Sequence, residues 1–372
     1  MRTPLVCLSA ALLAACTANK ARPGSDSFGD PAESTPHVTD DSGVTDDTAT
    51  DDTATDDTGN AGTGFEDQDG DGFFAPAAGV DPALTDCDDR DPEVTPATER
   101  YLPAGLLLRG EPDSTDAPRQ EVQLSAFCLD VYEVTNVPFA AFLSVAGTVD
   151  VDGHVLFDEF DSDDTIPERI ACDGGICMAE AGFEAHPATE LTWYGADAYC
   201  LWVGKRLPTE AEWERGARGG CGDDGCDEED ARTWPWGESD PDCDHMNGSE
   251  EIAWDENGFP YAFESCVGDT SPVDDPTGDV SPEGLRGMAG NVQELTGDWY
   301  NADYYTDGPG TDPPGPESGE FTDPDFGTVY EARVARGGSW ASDFSWGVTS
   351  RRWGEKPDAT SNGLGFRCAR PL

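Results

Sequence analysis

The chain has 372 residues, room for one large domain with appendages or for two ordinary domains. Its 77 acidic against 21 basic residues leave a formal charge of −56. That balance excludes a nucleic-acid partner, whose phosphates would be repelled, and favours divalent cations or a salt-adapted acidic surface. With 43 glycines and 28 prolines, a regular helical bundle or sandwich is excluded as well.

At the N-terminus Arg2 supplies a positive charge, and Leu5 to Ala15 form an apolar run too short to span a membrane. The run ends in Leu13-Ala14-Ala15-Cys16, which looks like a bacterial lipobox. By that likeness residues 1–15 are a lipoprotein signal peptide and Cys16 carries the lipid. An ordinary secretory signal with a chance cysteine is the alternative. The first reading makes the protein an exported one, held at the cell envelope through its lipid anchor. Thr17 is not an aspartate-type inner-membrane retention signal, which points to the outer membrane.

Beyond Cys7 and Cys16, the cysteines are Cys87, Cys128, Cys172, Cys177, Cys200, Cys221, Cys226, Cys243, Cys266 and Cys368. An even set in an exported chain reads as disulfides. Cys172/Cys177 and Cys221/Cys226 enclose glycine-containing segments and would close small loops. Zinc binding by these pairs is the weaker reading in an oxidising compartment.

Residues 16–64 contain the near-repeat TDDTATDDTATDDTGN and almost nothing able to build a core. Self-repulsion and low hydrophobicity predict a disordered acidic linker, a tether for the foldable part of the chain. In residues 65–100, Asp67, Asp69 and Asp71 alternate with Gly70 and Gly72, so successive carboxylates can face one tight turn, as in the first half of an EF-hand loop. Position twelve of such a loop is Ala78 rather than glutamate, so Asp86, Asp88, Asp89 and Asp91 would supply the remaining oxygens. The pattern resembles the short calcium repeats of thrombospondin type 3 and related bacterial surface proteins. Calcium is the expected ion, against the plainer reading of an acidic turn.

From residue 101 the texture is that of folded protein. YLPAGLLLRG is apolar and extended, and EVQLSAFCLDVYEVT alternates as strands do. In NVPFAAFL, Phe139, Phe142 and Leu143 stand at helical spacing, with Pro138 tolerable in a first turn. Residues 149–184 read as an acidic surface insertion. LTWYGADAYCLWVGKR predicts a helix capped by Thr192, and Thr209 with Glu212 forms a capping box opening a second short helix. After Gly219 the chain turns loop-rich. From Gly287 to Arg370 tryptophans and glycines alternate with neither helix nor strand period, which predicts packing by specific contacts rather than regular structure. Trp299, Trp340, Trp346 and Trp353 are large rings that must find burial.

The ordered signatures YEVTN, HPATELTWYGADAYCLWVGKRLPTEAEWERGARGG, WPWGE, GMAGNVQELTGDWY, RVARGGSW and GFRCAR together resemble the formylglycine-generating enzyme family, also called the sulfatase-modifying-factor domain. The resemblance covers residues 101–372 and implies an α+β, irregular, C-type-lectin-like fold. It also implies a Cys200–Cys368 disulfide, and a calcium seat using Gly290, Val292 and Glu294, with Gly287 where the family has an asparagine. A second family calcium site, near Asn247-Gly248, lacks its aspartate.

Enzymes of this family oxidise a sulfatase cysteine to formylglycine with oxygen, holding copper between two cysteines after the GGS turn. Here that segment reads ASDFSWGVTSRRW, and counting forward places Ser342 and Gly347 at those positions. Counting back from GFRC makes the loop about three residues short; by either count no thiolate is present. Ser and Gly cannot replace thiolates on Cu(I), a soft ion, so copper is not expected. No catalytic residue is assigned. The function implied is a non-catalytic binding or scaffold module, its cleft lined by Trp299, Ser339, Trp340, Trp346 and Arg352 and suited to a peptide or carbohydrate. A formylglycine-generating oxidase, or another oxidoreductase acting on protein through an altered site, is the alternative.

Overall fold

The computed structural model describes residues 67–372, apart from 79, 161–165, 223–224, 255–259, 276 and 325. The signal peptide, Cys16 and the linker assigned to residues 16–64 lie outside the described residues. Among the described residues no helix is long and apolar enough to cross a membrane.

The apolar run after residue 98 folds as two strands, β1 (Glu99–Leu102) and β2 (Gly105–Arg109). Pro103 separates them, because its ring nitrogen has no proton for a ladder. The alternating stretch behind it becomes β3 (Gln120–Leu124), paired with β2, and β4 (Phe127–Asp130), paired with β1. Helix α1 (Asn136–Ala146) carries Pro138 in its first turn, where a missing N–H leaves no bond unmade, and buries Phe139, Ala140, Phe142 and Leu143. The acidic insertion is not featureless: β5 (Ile170–Asp173) and β6 (Ile176–Ala179) form a hairpin clamped by Cys172–Cys177.

Helix α2 (Trp193–Trp202) starts where Thr192 Oγ1 accepts from the Gly195 amide at 3.2 Å. Gly195 is required there for a second reason, since a Cβ would stand 2.0 Å from the Leu156 carbonyl oxygen. Helix α3 (Glu210–Arg218) opens with the reciprocal capping box: the Glu212 amide donates to Thr209 Oγ1 and the Thr209 amide to Glu212 Oε2, at 3.2 and 2.8 Å.

The second half holds more regular structure than its composition predicts. β7 (Ser249–Trp254) pairs with β8 (Pro260–Ser265). After β9 (Gln293–Trp299) and the one-turn helix α4 (Tyr304–Asp307) come β10 (Glu320–Thr322), β11 (Val329–Glu331), β12 (Arg333–Arg336), β13 (Arg352–Glu355), β14 (Leu364–Gly365) and β15 (Ala369–Pro371). A four-stranded sheet of order β13-β12-β9-β14 and a three-stranded sheet of order β1-β4-β15 are the largest. The expectation of irregular packing from Gly287 to Arg370 is therefore corrected. Strand β9 is buried on both faces along Gln293–Thr296, so no apolar–polar alternation marks it. The tryptophan rings are also less buried than expected: Trp340 is buried, whereas Trp299, Trp346 and Trp353 are half-buried.

Two apolar clusters flank these sheets. One joins α1 and α2 to the C-terminal segment, with Phe139 ringed by Phe142, Phe157, Tyr199 and Phe366 at centroid distances of 5.6 to 6.3 Å. Full burial of Phe139 contributes about 1.5–3 kcal/mol. The other packs Trp213 and Ala217 of α3 on Leu102, Leu107, Val122 and Leu129. Disulfides staple Cys200 to Cys368 between α2 and the C-terminal segment, Cys87 to Cys128, Cys221 to Cys226, and Cys243 to Cys266.

Candidate functional site

The loop after β12 begins at Gly337, whose φ of +74° suits glycine and where a Cβ would press on the Met288 carbonyl at 2.9 Å. Gly338 then donates to the Ala289 carbonyl and Trp340 to the Asn291 carbonyl, at 2.9 and 2.8 Å, fastening the loop to the segment ahead of β9. Ser339 is buried, its amide bonded to Ser342 Oγ at 3.0 Å and its hydroxyl 2.8 Å from the same oxygen. Trp340 is likewise buried, its indole N–H donating to the Asn362 carbonyl at 3.0 Å. Trp346 packs on Trp353 and carries the Arg351 guanidinium 4.0 Å above its ring. Trp299 is covered by Arg333, which is sandwiched between it and Trp193 at 3.7 and 3.6 Å.

Arg352 does not line a cleft. It is buried, with Nε and Nη2 on Glu210 and Nη1 on the Asp116 and Asn301 carbonyls, so its donors are spent inside the protein. Together with Arg336, Glu210, Glu214, Arg218 and Tyr305 it forms a buried charge cluster behind the loop. The capping box alone predicts α3 as a short helix and says nothing of this cluster. The signal available was its charge, Glu and Arg on all sides of a nine-residue helix whose every residue is buried.

The chemistry open to the loop is set by its atoms. Ser342 offers a hydroxyl already paired with Ser339. Gly347 has no space for a longer side chain: a Cβ there would lie 2.8 Å from the Ala289 carbonyl oxygen and 3.0 Å from both Ala289 Cβ and Met246 Sδ. Every cysteine among the described residues is in a disulfide. The donor set therefore does not fit a copper ion held by two thiolates.

The Asp-rich repeat is a built carboxylate cluster. Backbone amides of Gly70 and Gly72 donate to Asp67, that of Asp71 to Asp69, that of Phe73 to Asp71, that of Asp88 to Asp86, and that of Gln68 to Asp89. These bonds occupy one oxygen of Asp69, Asp71, Asp86 and Asp89, and the second oxygen of each is buried and unbonded. Carboxylate oxygens of Asp67, Asp69 and Asp71 lie within 4.8 Å of one another, as do those of Asp69, Asp86 and Asp89. Burial, with the charges of Asp71, Asp69 and Asp89, pushes the Asp86 carboxyl up to about 6. Such a set of hard oxygens fits calcium. Asp88 and Asp91 are not in it: Asp88 pairs with Arg90 and Arg370, and exposed Asp91 caps a turn through the Glu93 amide.

At Gly290-Asn291-Val292-Gln293-Glu294 the carboxylate is already taken. Glu294 Oε1 and Oε2 accept from Arg367 Nη2 and Nε at 2.6 and 2.7 Å, and Oε2 also accepts from the Trp213 indole at 2.9 Å. The Arg367 guanidinium takes two of its acceptor positions and the Trp213 indole a third, so the carboxylate is engaged in a buried ion pair. Gly290 gives its amide to Asp279, and Val292 is buried behind Gly365.

The sulfatase-modifying factor enzyme 1-like domain family matches residues 88–372. The chain is 35% identical over 303 residues to the formylglycine-generating enzyme of Thermomonospora curvata, covering 72% of this chain and 91% of that protein. It is 35% identical over 275 residues to the serine/threonine-protein kinase pkn1 of Chlamydia caviae, and spans only 37% of the length of that curated relative. Among solved structures, PvdO from Pseudomonas aeruginosa shares the fold with a TM-score of 0.50 at 23% identity, covering 74% of this chain and 94% of that one.

Proposed function

This chain belongs to the sulfatase-modifying factor enzyme 1-like domain family, and we propose that it is a non-catalytic member of it: an exported, lipid-anchored binding or scaffold module at the cell envelope. One observation carries this reading. The loop that would hold copper offers a paired serine hydroxyl and a glycine with no room for a thiol, while the described cysteines are all in disulfides. The lipid anchor at Cys16 places the module on the membrane, and the sequence points to the outer one. Calcium bound by Asp67, Asp69, Asp71, Asp86 and Asp89 stiffens the junction between tether and domain. The partner is a peptide or carbohydrate, met by the half-buried rings of Trp299 and Trp346, with no nucleic acid involved.

The test is copper loading of the purified protein with a cysteine-containing sulfatase peptide, alongside glycan and peptide arrays. The expected result is no stoichiometric copper, no aldehyde, and a saturable ligand on an array. Stoichiometric copper with aldehyde formation overturns the reading in favour of an oxidase with an altered site. Labelling with a radioactive fatty acid checks the anchor: label lost on Cys16→Ser supports it, and an unlabelled parent removes it.

A further inference from the structure

Trp193 and Asp197 stand one turn apart on α2, so both side chains leave the same face of the helix. Trp193 is anchored by its indole N–H, which donates to the Thr296 carbonyl at 2.8 Å. Its ring and that of Trp299 hold the Arg333 guanidinium between them, at 3.6 and 3.7 Å. Tyr194, next along α2, lies flat on His154 with the ring centroids 3.9 Å apart and 8° between the planes. Asp150 fixes His154 in turn, Oδ2 to Nδ1 at 2.9 Å. Trp193, Tyr194, Asp197, Trp299 and Arg333 are all half-buried, so the group still reaches solvent.

The polar groups gathered here are held in place but not used. Arg333 donates through Nη1, to the Gly297 carbonyl at 2.7 Å, while its Nε is buried without a partner. Among the described residues, neither the Asp197 carboxylate nor the Tyr194 hydroxyl makes a hydrogen bond. Asp197 and Arg333 feel each other's charge, yet they form no ion pair. Burial raises the Asp197 carboxyl and takes the Arg333 guanidinium down to about 10, each only partly offset by the other. Both groups gain from any ligand that supplies the bonds the protein withholds.

Their opposite charges select that ligand. An anion drawn to Arg333 meets Asp197 and a chain of formal charge −56. A cation drawn to Asp197 meets Arg333. Neutral hydroxyls, which both donate and accept, satisfy carboxylate, guanidinium and phenol together. A peptide docking by strand addition needs a free sheet edge, and β12 is flanked by β13 on one side and β9 on the other. Sugar rings, by contrast, carry apolar C–H faces that suit the half-buried indole of Trp299.

Resting on the binding role proposed above, we infer that the ligand is a neutral carbohydrate, its hydroxyls held by Asp197, Tyr194 and Arg333 and its ring set against Trp299.

The experiment probes the full chain on an array of neutral, uronate-bearing and sulfated oligosaccharides, with a peptide array beside it. The strongest-bound neutral oligosaccharide is then titrated by calorimetry. Saturable binding of neutral oligosaccharides is expected. Asp197→Ala is expected to weaken it at least ~10-fold with the melting temperature unchanged, because that carboxylate makes no bond within the protein. Should Asp197→Ala fail to fold, Tyr194→Phe decides: it keeps the ring on His154 and is expected to weaken binding about 3- to 10-fold. Binding confined to charged glycans or to peptides overturns the inference but leaves a binding module in place, as does neutral-sugar binding untouched by the substitutions. No binding on either array removes both.

Discussion

Arg352 and Glu210 form a bidentate pair, Nε to Oε1 at 2.6 Å and Nη2 to Oε2 at 2.9 Å, joining β13 to the first turn of α3. Arg336 adds a bond to the same Oε1 at 2.7 Å and a second to Glu214 at 2.8 Å. Burial alone would raise the Glu210 carboxyl, but Arg352 and Arg336 outweigh it and hold the group below its usual range. Removing the charge leaves two guanidiniums buried without it. Glu210→Gln is expected to destabilise the protein by about 3–5 kcal/mol, read by denaturant unfolding with disulfides intact. A loss under ~1 kcal/mol would mean that the cluster is hydrated in solution.

Asp298 behaves in the opposite sense. Burial, reinforced by the Glu210 charge and only partly offset by a bond from the Glu210 amide, raises its carboxyl from 3.8 to about 7. A group raised in the folded state contributes stability that is fully present below the unfolded value and lost as pH rises through the folded one. The parent is therefore expected to lose stability relative to Asp298→Asn between about pH 4 and pH 7. Calorimetry of both proteins at pH 4 and pH 8 checks this, and a gap that does not widen with pH refutes it.

The Asp-rich repeat separates two neighbouring aspartates by role. Asp89 keeps a buried orphan oxygen in the cluster, while Asp88 faces Arg370 at 3.1 Å. Asp89→Asn is expected to weaken calcium binding at the repeat at least ~10-fold, and Asp88→Asn to leave it near the parent value. Titration calorimetry on the full chain distinguishes them.

The Cys200–Cys368 disulfide closes a sequence separation of 168 residues. Replacing both cysteines by alanine is expected to cost about 2–5 kcal/mol, chiefly by freeing the unfolded chain. Matched denaturation curves measure it.

The two positions of the loop should respond differently to cysteine. Ser342→Cys replaces one small side chain by another and, by weakening the bonds from the Ser339 amide and hydroxyl, is expected to lower the melting temperature only slightly. Gly347→Cys forces a Cβ against Ala289 and Met246, and is expected to lower it. Equal melting temperatures would show that the loop yields.

Local features were legible in the sequence because local chemistry makes them. The capping box at Thr209 and Glu212, the cap at Thr192 and the small Cys172–Cys177 loop each depend on residues a few positions apart. Strand β9 was hidden by burial on both faces, which erases the period that marks a strand. The fate of Arg352 was hidden by distance, since its partner Glu210 lies 142 residues away. Asp88 and Asp89 look alike in a run of acids; the former is drawn out of the cluster by Arg370, which is 282 residues distant.

The Cys87–Cys128 bond has a mechanical meaning. It attaches the repeat to β4, the middle strand of the β1-β4-β15 sheet, and Arg370 of β15 grips Asp88 beside it. A pull applied on the N-terminal side of Cys87 thus enters the domain at its centre, bypassing the loop closed by a sequence separation of 41 instead of peeling β1 from the sheet edge. Force spectroscopy would find the shortcut as missing contour length, restored when the bond is reduced.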